Sequence, residues 1–268
     1  MRVLSLFSGG GLGDYGLELA GMEIVGQVEI DEYCQKILQL RWPDVPKWRD
    51  IREVKGGEVV AKVGRVDLIS GGFPCQDISQ AKTSEQKGLA GERSGLWFEY
   101  LRLLREIRPR YVLVENTAAL TYRGLGTVLG GLAESRYDAE WCNIQASWFG
   151  APHLRERTFI LAHTHGDRLL LSVPHRRPEK ETWGKKTFWG QYWDEVRAGF
   201  TGFETIPPLE EAKREALDKP WLCRVVDGPA ETMERLKLLG NGQVVQVVEW
   251  IGRRILEADR RMNETSPV

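Results

Sequence analysis

No run of eighteen apolar residues occurs in the 268-residue chain, so no segment has the length of a membrane-spanning helix. The first residues pass from one Arg directly into a strand-like stretch rather than a signal peptide, which predicts a cytoplasmic protein with no membrane partner. Cysteine is sparse: Cys34, Cys75, Cys142 and Cys223 lie far apart, without Cys-x-x-Cys or Cys/His spacing. That argues against a disulfide framework and against any metal site, and leaves reactivity as the reason for a special cysteine. An excess of one charge is missing too. With 37 Lys+Arg against 38 Asp+Glu the net charge is −1, so a nucleic-acid partner has to be met by a local basic patch. Internal repeats and low-complexity tracts are absent. What remains is an ordinary globular composition, 42 % hydrophobic and 28 % charged, enough to bury a core for one large α/β domain, alone or carrying a smaller one.

Along the first 163 residues, short β-branched or apolar runs alternate with helix-like stretches. Strands are expected at 2–7, 24–29, 66–70, 111–115, 142–146 and 158–162, and amphipathic helices at 15–20, 32–40 and 96–107. This is the pattern of a doubly wound, Rossmann-like, mostly parallel sheet, which binds ligands at the carboxyl ends of its strands. Regularity is lost from 163 to about 228, where Pro, Gly, Trp and charge predominate. It returns in a helix after Asn241-Gly242, striped by Val244, Val247, Val248, Ile251 and Ile255. The expected division is a catalytic domain made of 1–163 plus 229–262, interrupted by a small lobe at 164–228.

Residues just after the strands carry the chemistry. The first strand runs into Phe7-Ser8-Gly9-Gly10-Gly11-Leu12-Gly13, with Asp14 as the expected helix N-cap. Gly11, Gly13 and Gly16 satisfy G-x-G-x-x-G, and Glu29 ends the next strand, where a ribose-binding acid belongs. This pattern indicates a nucleotide-like cofactor and does not separate a dinucleotide from an adenosyl sulfonium. Gly71-Gly72-Phe73-Pro74-Cys75-Gln76 follows the 66–70 strand, with Pro restraining the backbone before a thiol placed as a nucleophile is placed. Glu115-Asn116 ends the next strong strand and brings a carboxylate to the same edge.

In order and spacing, Phe7-Ser8-Gly9 with Gly11, Gly72 to Gln76, Glu115-Asn116, Arg155 with Arg157, and Gly240-Asn241 resemble the motifs of the C5-cytosine DNA methyltransferases. The resemblance covers 1–163 and about 222–258. It implies the S-adenosyl-methionine-dependent methyltransferase fold and methyl transfer to C5 of a cytosine flipped out of double-stranded DNA, with a covalent cysteine adduct, in restriction-modification or phage DNA protection. By that resemblance Cys75 is the nucleophile, Glu115 with Asn116 protonates the ring at N3, Arg157 holds the base and supports Glu115, and Arg155 braces the site. Phe7, Gly9, Gly11, Pro74 and Asn241 surround the methyl donor, Glu29 takes the ribose hydroxyls, Ile30 lies against adenine, and Asp50, Ile51 and Leu96 complete the pocket. Leu12, Thr117, His153 and Val245 depart from the commonest family pattern, and none of them removes a reacting group.

A duplex hides C6 of cytosine from any thiol, so something must hold the opened strand. The stretch 77–93 resembles the family's closing loop, and Gln76, Ser79, Lys82 and Arg93 are its expected DNA contacts. In the lobe, 168–186 holds six Lys/Arg, among them Arg176, Arg177, Lys185 and Lys186, against two acids, followed by Trp183, Phe188, Trp189, Tyr192 and Trp193. Those cations suit DNA phosphates, while the aromatics serve equally as a core for the lobe. A monomer is expected. Three other readings keep part of the pattern: an RNA cytosine methyltransferase, a dinucleotide-dependent oxidoreductase that leaves the 73–76, Glu115 and Arg157 blocks without purpose, and a DNA-binding relative without catalysis.

Overall fold

The computed structural model describes residues 1–74, 95–149, 155–164 and 242–265. Within them the order is β1 (Arg2–Leu6), α1 (Leu12–Leu19), β2 (Glu23–Val28), α2 (Glu32–Arg41), β3 (Lys47–Trp48), α3 (Gly56–Val63) and β4 (Leu68–Gly71). Then come α4 (Gly95–Ile107), β5 (Tyr111–Thr117), α5 (Leu120–Arg123), α6 (Leu125–Glu134), β6 (Tyr137–Gln145), a 3-10 turn (Ala146–Phe149), β7 (Glu156–Thr164) and α7 (Val245–Thr265). Among the described residues seven strands make one sheet, ordered β3-β2-β1-β4-β5-β7-β6. The first five in the chain run parallel, and β7 is antiparallel to both β5 and β6.

The central strands are apolar on both faces because helices cover both. Leu4, Leu6, Ile69, Val112, Val114 and Ile160 point into a layer shared with Val59 of α3 and Leu101 and Leu104 of α4. Val3, Leu68, Tyr111, Leu113 and Leu161 point into the opposite layer, with Leu17 of α1 and Val247, Val248, Ile251 and Ile255 of α7. The stripe expected on the closing helix is therefore the face it buries against the sheet. The chain turns outward through β2 and β3 and then crosses back to β4, so the strand order reverses between β1 and β4. That switch point is where the loops at the carboxyl ends splay apart and leave a cleft.

Several elements differ from the sequence expectation. β6 begins five residues earlier than the apolar run 142–146 suggests, since it is an edge strand, paired only with β7 among the described residues, whose exposed Asp138 and Ala139 hide its start. α3 and α6 were not expected, because Gly56-Gly57 and Gly130-Gly131 break the apolar spacing that marks a helix. The stretch expected to form a small lobe, with its basic residues Arg176, Arg177, Lys185 and Lys186, lies outside the described residues. So do Cys75, Gln76, Ser79, Lys82, Arg93, His153 and Asn241.

Asp14 is also placed otherwise than expected. Gly11, at φ +79°, is the N-cap of α1, and Asp14 is buried inside the helix. Its carboxylate accepts from Ser5 Oγ at 2.5 Å and from Gln27 Nε2 at 2.7 Å. Burial pushes this carboxyl up to about 6, against the two hydrogen bonds that favour the anion, with Glu18 and Glu29 adding to the rise. The folded state thus holds the proton more tightly than the unfolded chain. The resulting stabilisation, about 3 kcal/mol, is complete below about pH 4 and is lost as pH rises through about 6. Urea unfolding of the Asp14→Asn variant between pH 4 and 8 is expected to lack this component of the pH slope. An identical slope in both proteins would overturn the assignment.

Candidate active site

On one side of the switch point the chain leaves β1 through three left-handed residues, Phe7 at φ +54°, Gly9 at +55° and Gly11 at +79°. A left-handed Phe is costly for an L-residue, and such strain collects at ligand sites. Gly11 has no alternative: a Cβ there would stand 2.3 Å from the Trp42 ring. A Cβ on Gly9 would meet only open space, so the turn is bare on its outer side. Glu29, just past β2, accepts from Gly9 N–H at 2.6 Å and from Asp31 N–H at 2.8 Å, and this ties the turn to the start of α2. Burial raises its carboxyl above the ordinary range, opposed by those backbone donors. Ile30, beside it, is 57 % exposed, although it is a large apolar residue.

Gly13 and Gly16, the other two glycines of the spacing, serve a different purpose. A Cβ on Gly13 would stand 2.4 Å from Gln243 Oε1, and one on Gly16 would stand 2.7 Å from the Val245 carbonyl. These glycines let the segment returning into α7 lie directly on α1. Helix packing suffices to explain Gly13 and Gly16, and the left-handed turn belongs to Phe7, Gly9 and Gly11.

On the other side, β4 and β5 end together, with Gly71 level with Val114. Glu115 and Asn116 follow in β5, both buried. Asn116 Nδ2 donates to the Phe73 carbonyl at 3.0 Å, and Asn116 Oδ1 accepts from Thr117 N–H at 2.8 Å. Phe73 is itself pinned in the core, its ring 5.1 Å from that of Trp97. The backbone two residues before Cys75 is therefore held by the residue next to Glu115. Because β7 is antiparallel, its first residues reach the edge where β4 and β5 end, with Arg157 level with Thr117. Arg157 Nε lies 3.0 Å from Glu115 Oε1, and Arg155 Nη2 donates to the Gly242 carbonyl at 2.8 Å.

Two effects compete at Glu115. Burial favours the neutral acid, and the guanidinium groups of Arg157 and Arg155 favour the carboxylate; burial prevails and the pKa is raised. The same burial brings Arg155 down to about 10, helped by Arg157 and resisted by Glu115. A carboxyl that binds its proton more tightly than usual, beside two cations, is suited to give that proton to a bound base.

These features sit where one family concentrates its motifs, and the family profile of the C-5 cytosine-specific DNA methylases matches residues 1–220. The chain belongs to that family. A curated relative, the type II methyltransferase M2.BsuMI of Bacillus subtilis, is 27 % identical over 302 residues, spanning 95 % of this chain and 75 % of its own. The type II methyltransferase M.AquIA of Picosynechococcus is 29 % identical over 233 residues, spanning 81 % and 93 %. Among solved structures, the S. pombe Dnmt2 methyltransferase superposes over 96 % of this chain and 98 % of its own, with TM-score 0.63 and 19 % identity, a likeness of fold.

Of the remaining residues expected in this C-5 methylase's donor pocket, Ile51 is buried in the core and its carbonyl accepts from Arg102. Asp50 faces Arg52 in an ion pair of 2.6 Å, which holds its carboxyl below the ordinary range. Leu96 is half-buried against the same core, and Pro74 is exposed at the cleft. Gln243 escaped the sequence reading. It belongs to no periodic stripe, and only its place directly after Asn241-Gly242 marks it.

Proposed function

We propose that this C-5 methylase moves a methyl group from S-adenosyl-methionine to C5 of a cytosine flipped out of double-stranded DNA, with Cys75 as the attacking thiolate. The observation that supports it most is the buried Glu115 carboxyl, raised in pKa, paired with Arg157 and adjacent to the asparagine that fixes the backbone leading to Cys75.

The residues of the donor side fit an adenosyl sulfonium. The bare outer side of the Gly9 turn, the acid at Glu29 and the exposed apolar face of Ile30 offer, in order, backbone approach, a hydroxyl acceptor and a surface for a purine ring. Gly11 and Phe7 shape that turn, and Pro74, Leu96, Asp50, Ile51 and Asn241 complete the pocket. When bound, the donor supplies an electrophilic methyl group.

The chain's own residues do the rest. Cytosine C5 is a weak nucleophile, so the Cys75 thiolate forms a bond from Sγ to C6 and the ring electrons move towards C5. Glu115 delivers its proton to N3, where negative charge would otherwise collect, and Asn116 helps to orient the ring. Arg157 grips both the carboxyl and the base, and Arg155 secures the arrangement through Gly242. Once C5 is methylated, a base removes the C5 proton, the Sγ–C6 bond breaks, the thiolate is restored, and N3 returns its proton to Glu115. Unstacking the cytosine costs a few kcal/mol, met by contacts from Gln76, Ser79, Lys82 and Arg93 and by the basic lobe residues Arg176, Arg177, Lys185 and Lys186. A role in restriction-modification accords with the type II names of the two relatives, and phage DNA protection is the other role that the resemblance implies.

Purified protein incubated with labelled donor and matched duplex DNA and RNA is expected to label the DNA. Bisulfite sequencing of DNA from expressing cells is expected to show 5-methylcytosine in one sequence context. Label on RNA alone, or none on either, would overturn the proposal.

A further inference from the structure

The returning segment 242–245 touches both halves of the cleft. Gly242 accepts from Arg155, the partner of the Glu115 pocket, while Gln243 Oε1 rests where Gly13 lacks a Cβ. The far end of the same amide faces the opposite loop. Gln243 Nε2 lies 3.7 Å, and Glu115 Oε2 2.6 Å, from the position a Cβ on Gly72 would occupy. Gly72 therefore leaves room that the Gln243 amide and the Glu115 carboxyl both border, and any larger residue would fill it.

Gln243 Oε1 is buried and has no hydrogen-bond partner among the described residues. A buried acceptor left unpaired is destabilising, so its presence calls for a donor supplied at some stage of turnover. A primary amide suits such a place because its two ends are opposite in character. With Nε2 turned to Glu115 it would donate to a carboxylate. With the amide rotated by half a turn, Oε1 accepts from the protonated acid. No neighbouring cation can do both.

We propose that Gln243 is a positioning residue that follows the Glu115 carboxyl through its proton cycle, accepting from it while it is protonated and no base is bound, and donating to it once the proton has passed to N3. This rests on the reading of Glu115 as the acid that serves the base, and it adds the residue that keeps this acid oriented in both states. The charged groups facing the carboxyl are Arg157 and Arg155, which hold its anion but offer nothing to its proton.

The test uses the full chain with two variants. Gln243→Met keeps the length and loses both hydrogen-bonding ends. Gln243→Glu keeps the shape and sets a second carboxylate against the first. Gln243→Met is expected to lower kcat about tenfold or more, to leave KM for donor and DNA within about threefold, and to unfold at the wild-type temperature. Gln243→Glu is expected to move the alkaline limb of kcat upward by about one pH unit, as like charge does to a neighbouring acid. Carbon-13 NMR of the Glu115 carboxyl, independent of turnover, is expected to show the same upward displacement. An unchanged kcat in Gln243→Met, a loss confined to KM, or a Glu115 titration identical in all three proteins would overturn the proposal. Should the wild type transfer no methyl group, the functional reading falls, and the NMR titration still decides whether Gln243 and Glu115 are coupled.

Discussion

Replacing Cys75 by serine is expected to lower methyl transfer by about four orders of magnitude or more, the loss typical of removing the nucleophile from a covalent mechanism. A serine hydroxyl keeps the shape and one hydrogen bond, but it ionises far above the pH at which a thiol does. The complementary experiment reads the adduct itself. DNA carrying 5-fluorocytosine in the target position has no proton at C5 for a base to remove. The final elimination then fails and the Sγ–C6 bond persists. Wild-type protein is expected to migrate with such DNA on a denaturing gel, and Cys75→Ser to migrate alone. Undiminished methylation by the variant would remove Cys75 from the mechanism, as would equal trapping of both proteins.

The second large effect is expected at Glu115. Glu115→Gln preserves volume and can still offer an N–H to the ring, but it has no proton to transfer. A fall in kcat of about 10²- to 10³-fold is expected, with KM for the donor little changed. The sign of the pH dependence follows from the direction of the shift. Burial raises this pKa above the ordinary carboxylate range, so the acid form persists to higher pH and is lost as pH rises through the raised value. Wild-type kcat should therefore decline on the alkaline side, and that limb should vanish in Glu115→Gln. The same shift means that ionising Glu115 costs folding stability as pH rises. A variant that keeps the limb would show that another group titrates there.

Much of the architecture is legible in the sequence where one physical rule acts alone. β1 and β5 are apolar because both their faces are covered, and the stripe from Val244 to Ile255 foretells a helix laid on the sheet. Legibility fails where two rules compete. Asp14 has the residue type of a cap, yet Gly11 takes that position because its left-handed backbone ends the turn, and Asp14 is drawn inward by Ser5 and Gln27, partners invisible to local spacing. The G-x-G-x-x-G pattern is read as a ligand cradle, whereas Gly13 and Gly16 answer to the returning chain more than two hundred residues later. Glu115, Asn116 and Arg157 were legible as chemistry from their types and strand-end positions. Their contacts depend on the antiparallel entry of β7, which no local pattern reveals. The expected domain division, and Cys75 with its loop, remain proposals drawn from the sequence.

That chain return has a consequence for biosynthesis. When a ribosome has released the segment through Thr164, all seven strands of the described sheet are available, but the surface of α1 at Gly13 and Gly16 is still naked and the carbonyl that receives Arg155 does not yet exist. The cleft is finished only when α7 arrives. A fragment that stops before the returning segment lacks both contacts, and its cleft stays unfinished.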